Sequence, residues 1–366
     1  MKILMIVRTN LYTSPGGDTT QIDMTAKYLR LLGVSVTIAL ADQVEHVGTY
    51  DLLHFFNIIR PDDILPFIED AAIPFVISTI FVDYSSYEKQ NRAGIAGLMF
   101  RVLTPGQVEY LKAVARWILN GDRLRSRFYI FKGHKASMRR LVRQAQMLLP
   151  NSNSEYKRLV DYLKMTAPYK KVVNAIDADM FNDDVEEDSK YKNHVLCVGR
   201  IEGRKNQLNL IKSLLNTEVQ LTIIGKPSPN HLAYYQACKD VAAAANNIHF
   251  IEHMPHHQLV RVYKAAKVHV LPSWFETTGL SSLEAAVMGC NIVVTDKGDT
   301  TEYFGNMAYY CEPNDLISMK TAVLRALNED VNADLQKFIR KNYTWNETAA
   351  QTLSAYQEIL SMNKPA

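Results

Sequence analysis

Residues 271–296 present Glu276 and Glu284 eight positions apart, with Gly279 between them. Ionised carboxylates are pure hydrogen-bond acceptors, so such a pair suits a hydroxyl-rich ligand, a sugar ring against one and a ribose diol against the other. Earlier in the chain, Gly199-Arg200-Ile201-Glu202-Gly203-Arg204-Lys205-Asn206 sets Arg200 and Lys205 five apart across a loop containing glycine. Both can converge on one anion, where each charge at ~4 Å is worth about 4 kcal/mol at an effective dielectric of about 20. A departing diphosphate could be neutralised this way without a metal. Close to the amino terminus, Ser14-Pro15-Gly16-Gly17-Asp18 precedes a helical pattern. Adjacent glycines let backbone N–H groups approach an anion, and a helix start adds partial positive charge. Each motif also has a plainer reading: Ser281-Ser282-Leu283-Glu284 fits a capping box, Gly16-Gly17 a tight turn, and the basic loop a solvated surface.

Such residues need strand ends to sit on. In doubly wound sheets ligands bind at the carboxyl ends of parallel strands. Here apolar runs of strand length alternate with amphipathic segments of helix length almost throughout. The pattern predicts strands over 2–7, 34–40, 51–56 and 74–80, a helix over 19–32 closed by Gly33, and a mostly helical stretch over 86–147. The acidic segment 174–192 reads as a linker. A second series follows, with strands over 195–198, 220–224, 248–251, 268–271 and 292–295 and helices in the intervals. A charged helix around 315–340 precedes a last amphipathic segment over 345–361, with Leu353, Tyr356 and Leu360 at helical spacing. The predicted class is α/β, in two doubly wound Rossmann-like domains.

A chain of 366 residues, 47% hydrophobic and 22% charged, is more than one ordinary domain absorbs. The opening MKILMIVRTN holds an apolar run too short for a secretory signal. The stretch 71–82 is interrupted by Pro74, Ser78 and Thr79 and falls short of the ~20 residues that a membrane span needs. Four scattered cysteines, Cys197, Cys238, Cys290 and Cys311, form no Cys-x-x-Cys pair, which points to a reduced, cytoplasmic setting. His253, His256 and His257 match no zinc spacing, and His54 inside an apolar strand reads as a core or strand-end residue. Charge is uneven: between Lys89 and Arg143 thirteen Lys or Arg face two acids, a surplus of +11 that leaves −8 for the rest of a chain whose formal net charge is +3. Apolar positions at helical spacing lie among these cations, so residues 89–143 suit peripheral contact with an anionic membrane; no nucleic-acid recognition motif accompanies them.

Taken together the motifs resemble glycosyltransferase family 4, the group 1 glycosyltransferases. Glu276 to Glu284 is similar to the family's E-x7-E signature, Gly199-Arg200 with Lys205 to its G-R-x4-K diphosphate clamp, and Gly16-Gly17 to its amino-terminal glycine loop. Residues 50–54, 150–155, 173–177 and 265–272 look similar as well, and the resemblance covers nearly the whole chain. It implies a GT-B fold, two doubly wound Rossmann-like domains facing across a cleft. The acceptor-binding domain would span 1–175 with a crossover helix over 345–366, and the nucleotide-sugar-binding domain 176–344. The implied activity is retaining, metal-independent and cofactor-free hexosyl transfer from a nucleoside diphosphate sugar of UDP or GDP type. The acceptor would be a glycan or a lipid-linked molecule, in cell-surface polysaccharide or glycolipid synthesis at the inner face of the membrane.

By the same resemblance, Arg200 and Lys205 hold the donor diphosphate, Glu276 contacts the transferred sugar and Glu284 binds the ribose hydroxyls. Gly16, Gly17, Gly199, Thr278, Gly279 and Leu280 meet the sugar and phosphates, while Gly225, Lys226 and Ile251 line the base. Two departures stand out. Glu276-Thr277-Thr278-Gly279 replaces the family's Glu-Gly-Phe-Gly, and Ile80-Phe81-Val82-Asp83 replaces a His-Asp pair, leaving Asp83 to take part of that role at the sugar or acceptor. Rivals remain open: a nucleotide-sugar epimerase or sugar phosphorylase, a non-catalytic glycan- or nucleotide-sugar-binding protein of the same fold, and a nicotinamide oxidoreductase, for which Gly16-Gly17 lacks the G-x-G-x-x-G spacing.

Overall fold

A computed structural model describes residues 1–68, 73–82, 84, 87, 103–120 and 124–362. The chain divides into two compact units, Met1–Asn174 with Trp345–Ala366, and Ala175–Thr344.

Among its described residues the first unit is built on five parallel strands in the order β2-β1-β3-β4-β5, namely β1 (Lys2–Val7), β2 (Ser35–Leu40), β3 (Leu52–Phe56), β4 (Phe75–Ser78) and β5 (Met147–Leu148). β1 and β3 read as continuous apolar runs because both faces of the sheet are covered, and both are buried almost end to end. Helix Gly17–Leu31 packs against the last helix, Trp345–Met362, whose Trp345 and Tyr356 are among the largest fully buried side chains. That helix is locked to the sheet through His54 in β3, which lies 2.6 Å from Tyr356 Oη through Nδ1 and 2.8 Å from Ser78 Oγ through Nε2. Burial pushes the His54 pKa down to about 3, so it is a neutral core residue.

At the end of β4 the buried Glu155 carboxylate accepts from Phe81 N (2.8 Å), Asn151 N (2.9 Å) and Thr79 Oγ1. Ile80 stands between two of these donors with φ +44, a left-handed conformation that costs a β-branched residue about 1–3 kcal/mol. The carboxylate thus fixes the loop leading toward Asp83, which itself lies outside the described residues, as do 89–102 and 121–123 of the basic stretch.

The second unit has six parallel strands in the order β11-β10-β9-β6-β7-β8: β6 (Val195–Val198), β7 (Leu221–Ile224), β8 (Ile248–Ile251), β9 (Val268–Leu271), β10 (Asn291–Val294) and β11 (Tyr309–Tyr310). From β6 the chain winds outward one way through β7 and β8, and from β9 the other way, so the order reverses between the adjacent β6 and β9. The sequence pattern misses β5 and β11, each a two-residue strand too short to show a period. The segment 315–340 is two helices, Leu316–Asn328 and Ala333–Asn342, the second capped by Asn332. The acidic stretch expected as a linker is anchored in this unit: Ile176 bridges Thr344, and Asp183 pairs with Arg340 at 2.9 Å. Among the described residues no helix is long and apolar enough to cross a membrane. All four cysteines are buried and unpaired.

Candidate functional site

In doubly wound sheets ligands bind where the strand order reverses, at the carboxyl ends of the two diverging strands, and the loops after β6 and β9 carry the predicted residues. Gly199 follows β6, and Gly225, with φ +154, follows β7, where a Cβ would stand 1.9 Å from Gly199 O. Only glycine lets these strand ends approach so closely. The chain then passes Arg200, turns through the 3-10 segment Gly203–Lys205 and stops at Asn206 with φ +65. Asn206 Nδ2 donates to Pro272 O (3.0 Å) and Pro313 O (2.6 Å), while Trp274 N donates to Arg204 O (3.0 Å). The loop after β6 is therefore stitched to the loop after β9.

At the seam Lys205 Nζ meets Glu276 Oε2 at 2.6 Å, with side chains 23% and 8% exposed. Ser273 Oγ donates to the same oxygen at 2.9 Å. Backbone bonds on both sides hold Glu276 in place, its N to Lys297 O and its O from Asp299 N, each 2.9 Å. Gly298 passes so close that a Cβ there would lie 1.9 Å from Glu276 O. A carboxylate this buried is retained because the cation and the hydroxyl pay its desolvation.

Gly279, at φ +68, caps helix Leu280–Val287 and turns the chain so that the helix start faces the same strand end. Thr278 beside it is 1% exposed, and its hydroxyl makes no hydrogen bond. Glu284, one turn into the helix, accepts a hydrogen bond from Tyr263 Oη at 3.4 Å. Burial raises the Glu284 pKa to about 7, only partly countered by that hydrogen bond. The capping-box alternative is not what forms here, since Gly279 occupies the cap position and Glu284 faces Tyr263 instead.

Arg200 extends toward Glu202, with Nη2 4.0 Å from Oε1, and is half exposed; Lys205 is on Glu276. Glu202 also accepts from Arg204 and Ser228 Oγ, each at 3.3 Å. Burial would raise the Glu202 pKa, but the charges of Arg204, Arg200 and Lys205 outweigh it and hold the carboxyl below its usual range. Gly225 N donates to Ile251 O and Ile201 N to Lys226 O, both at 2.9 Å, so the three predicted base-lining residues form one strip of strand ends beside Gly199. Gly16 and Gly17 belong to the first unit, where Gly16 caps helix Gly17–Leu31 and its N donates to Thr19 Oγ1 at 3.0 Å. His256 and His257 open helix His256–Ala265 behind Pro255. Sequence reasoning overlooked Tyr263, Ser273 and Glu202; of these only Glu202, an acid amid Arg200, Arg204 and Lys205, left a visible trace in the sequence.

This arrangement offers cations and a helix start to an anion, and carboxylates to hydroxyls. Residues 180–345 match the family model described as glycosyl transferases group 1. O-antigen chain mannosyltransferase B of Escherichia coli is 25% identical over 181 residues, 46% of each chain. Over residues 180–345 the chain is thus similar to the group 1 glycosyltransferases. Sucrose-phosphate synthase of Thermosynechococcus elongatus superposes with a TM-score of 0.76 at 13% identity, covering 99% of this chain and all of that one. HepE of Anabaena, solved in complex with UDP and glucose, gives 0.70 at 14% identity over 98% of this chain and 100% of its own. The fold is GT-B, with a Rossmann-like α/β sheet in each unit. The aligned part spans less than half the length of the first curated relatives it matches.

Proposed function

We propose that this chain is a retaining, metal-independent hexosyltransferase. It moves a sugar from a nucleoside diphosphate sugar to a hydroxyl of a glycan or lipid-linked acceptor, in the synthesis of cell-surface polysaccharide or glycolipid. The observation that carries this reading is the Lys205–Glu276 pair at the reversal point of the second sheet, beside the start of helix Leu280–Val287. With donor bound, the pyrophosphate takes up Arg200 and Lys205, and Glu276 turns to the sugar hydroxyls. Glu284 accepts from the ribose diol, and the Thr278 hydroxyl gains its missing partner. Gly199, Gly279 and Leu280 offer backbone groups to the phosphates and sugar, and Gly225, Lys226 and Ile251 line the base. In the first unit Gly16 shapes the turn and Gly17 adds an N–H group for the donor, and Asp83 serves the sugar or acceptor.

As the bond from the anomeric carbon to the phosphate oxygen breaks, charge grows on the leaving diphosphate. Arg200, Lys205 and the helix start meet that charge in place of a metal ion. The acceptor oxygen bonds to the anomeric carbon with net retention, and its proton passes to the oxygen of the leaving diphosphate. The UDP held by HepE supports a nucleoside diphosphate as leaving group. Residues 89–143 contact an anionic membrane surface, where a lipid-linked acceptor is presented.

The test is a calorimetric screen of UDP-, GDP- and ADP-sugars, followed by nucleotide release with chelator present and product stereochemistry by NMR. Tight binding of one donor, chelator-insensitive turnover and a retained anomer are expected. Binding without nucleotide release over a broad acceptor panel would assign a non-catalytic binding protein instead, and release of an epimerised donor an epimerase.

A further inference from the structure

Helices Pro105–Asn120 and Arg127–Gln144 of the first unit are pinned together where Tyr110 donates its phenol proton to Ile130 O at 2.9 Å and the Tyr110 and Tyr129 rings stand 5.6 Å apart. The second helix is broken at Gly133, with φ +75 and ψ −178. Ahead of the break Tyr129 turns inward, while Ile130 is 38% and Phe131 82% exposed. Arg127 and Lys132 flank them and are exposed as well. Lys132 and Lys135 share the wall of a groove of about 440 Å³ with Leu111, itself 39% exposed, so cations and apolar groups meet on one side of the hairpin.

A bare phenylalanine beside an isoleucine gains by burial whatever covers it; the charge around it decides which cover fits. Across 103–144 ten Lys or Arg stand against Glu109 and Asp122 alone. Apolar side chains ringed by Lys and Arg belong in the headgroup layer of an anionic leaflet. We infer that Ile130 and Phe131 form an insertion wedge that enters the headgroup–acyl boundary of an anionic bilayer, with Arg127 and Lys132 on lipid phosphates. The inference rests on the membrane contact proposed above and assigns it to one tip.

The full chain is floated with vesicles of phosphatidylcholine alone or containing phosphatidylglycerol. Binding to the anionic vesicles only is expected. Phe131→Ser should weaken it on the order of tenfold, and Arg127→Gln or Lys132→Gln about fivefold each. The emission of F131W should be quenched by brominated acyl chains. All variants should keep the wild-type unfolding midpoint and donor affinity. If the wild type binds anionic vesicles but Phe131→Ser binds as tightly and F131W escapes quenching, the wedge is wrong while the membrane contact stands. If the wild type binds neither vesicle, wedge and membrane contact fall together, and donor calorimetry reports separately on the transferase reading. Self-association without vesicles that Phe131→Ser abolishes would overturn the wedge by showing that a second copy covers the face.

Discussion

Replacing Lys205 by Ala tests the seam twice, once through stability and once through donor use. In the free protein the substitution leaves the 8%-exposed Glu276 carboxylate with Ser273 as its remaining side-chain hydrogen-bond donor. Removing one partner of a fully buried pair costs roughly 3–5 kcal/mol; with Lys205 23% exposed, water recovers part of it, and about 2–3 kcal/mol is expected. For a unit of this size that lowers the unfolding midpoint by roughly 5–10 °C. Glu276→Gln removes the buried charge, so the double variant Lys205→Ala with Glu276→Gln should regain most of the lost stability, a coupling of about 2 kcal/mol in a double-mutant cycle. Turnover should behave in the opposite way. The donor diphosphate loses a cation worth up to about 4 kcal/mol at ~4 Å, so kcat/KM should fall on the order of a thousandfold in the single variant and not recover in the double. Scanning calorimetry and a coupled nucleotide-release assay on the same four proteins read both quantities. Additive stability losses would refute the coupled pair, and near-normal donor turnover by Lys205→Ala would refute the clamp.

Glu284 predicts a pH effect. Its carboxyl is raised from 4.5 to about 7 in the folded chain, so the stability it contributes is complete below pH 4.5 and lost as pH rises through 7, by about 3 kcal/mol; urea titrations at several pH values should show this slope in the wild type and not in Glu284→Gln. Donor affinity should run the other way, strengthening as pH rises through 7 because the ionised form accepts from the ribose diol, with a flat and weaker profile in Glu284→Gln. Gly298→Ala pushes a methyl against Glu276 O at a position with φ +118, and should cost about 2 kcal/mol or more along with much of the turnover, measured by thermal melting and initial rates. His54→Leu strands the Tyr356 and Ser78 hydroxyls in the core of the first unit and should destabilise it by about 2–4 kcal/mol, while donor binding to the second unit, measured by calorimetry, stays unchanged.

The strands were readable where burial on both faces makes an unbroken apolar run, as in Val268–Leu271, predicted to the residue. Ends were blurred elsewhere: the run at 74–80 overshoots Phe75–Ser78 because the apolar composition continues into the left-handed turn at Ile80. The sequence also supplies the Arg200 and Glu276 loops as separate strings. What joins them is the lateral pairing of β6 with β9, a contact between segments some seventy residues apart that no local period encodes. The same limit hid Tyr263, which looks like one more apolar position on helix His256–Ala265 until its hydroxyl is seen against Glu284. At Glu284 the local pattern pointed to a cap, but a left-handed Gly279 wins that position because the loop must turn sharply out of β9.

The second unit begins and ends at the same spot. Ile176 lies beside Thr344 as a bridge, with Ile176 N donating to Tyr343 O at 3.0 Å, so entry and exit run about 5 Å apart. A module with adjoining termini can be cut out and another grafted in at a single scar, as domain insertions are tolerated where chain ends meet. If the second unit holds the donor as proposed above, exchanging it at that scar while Trp345–Met362 stays with its host would give chimeras in which the sugar and its destination are chosen independently.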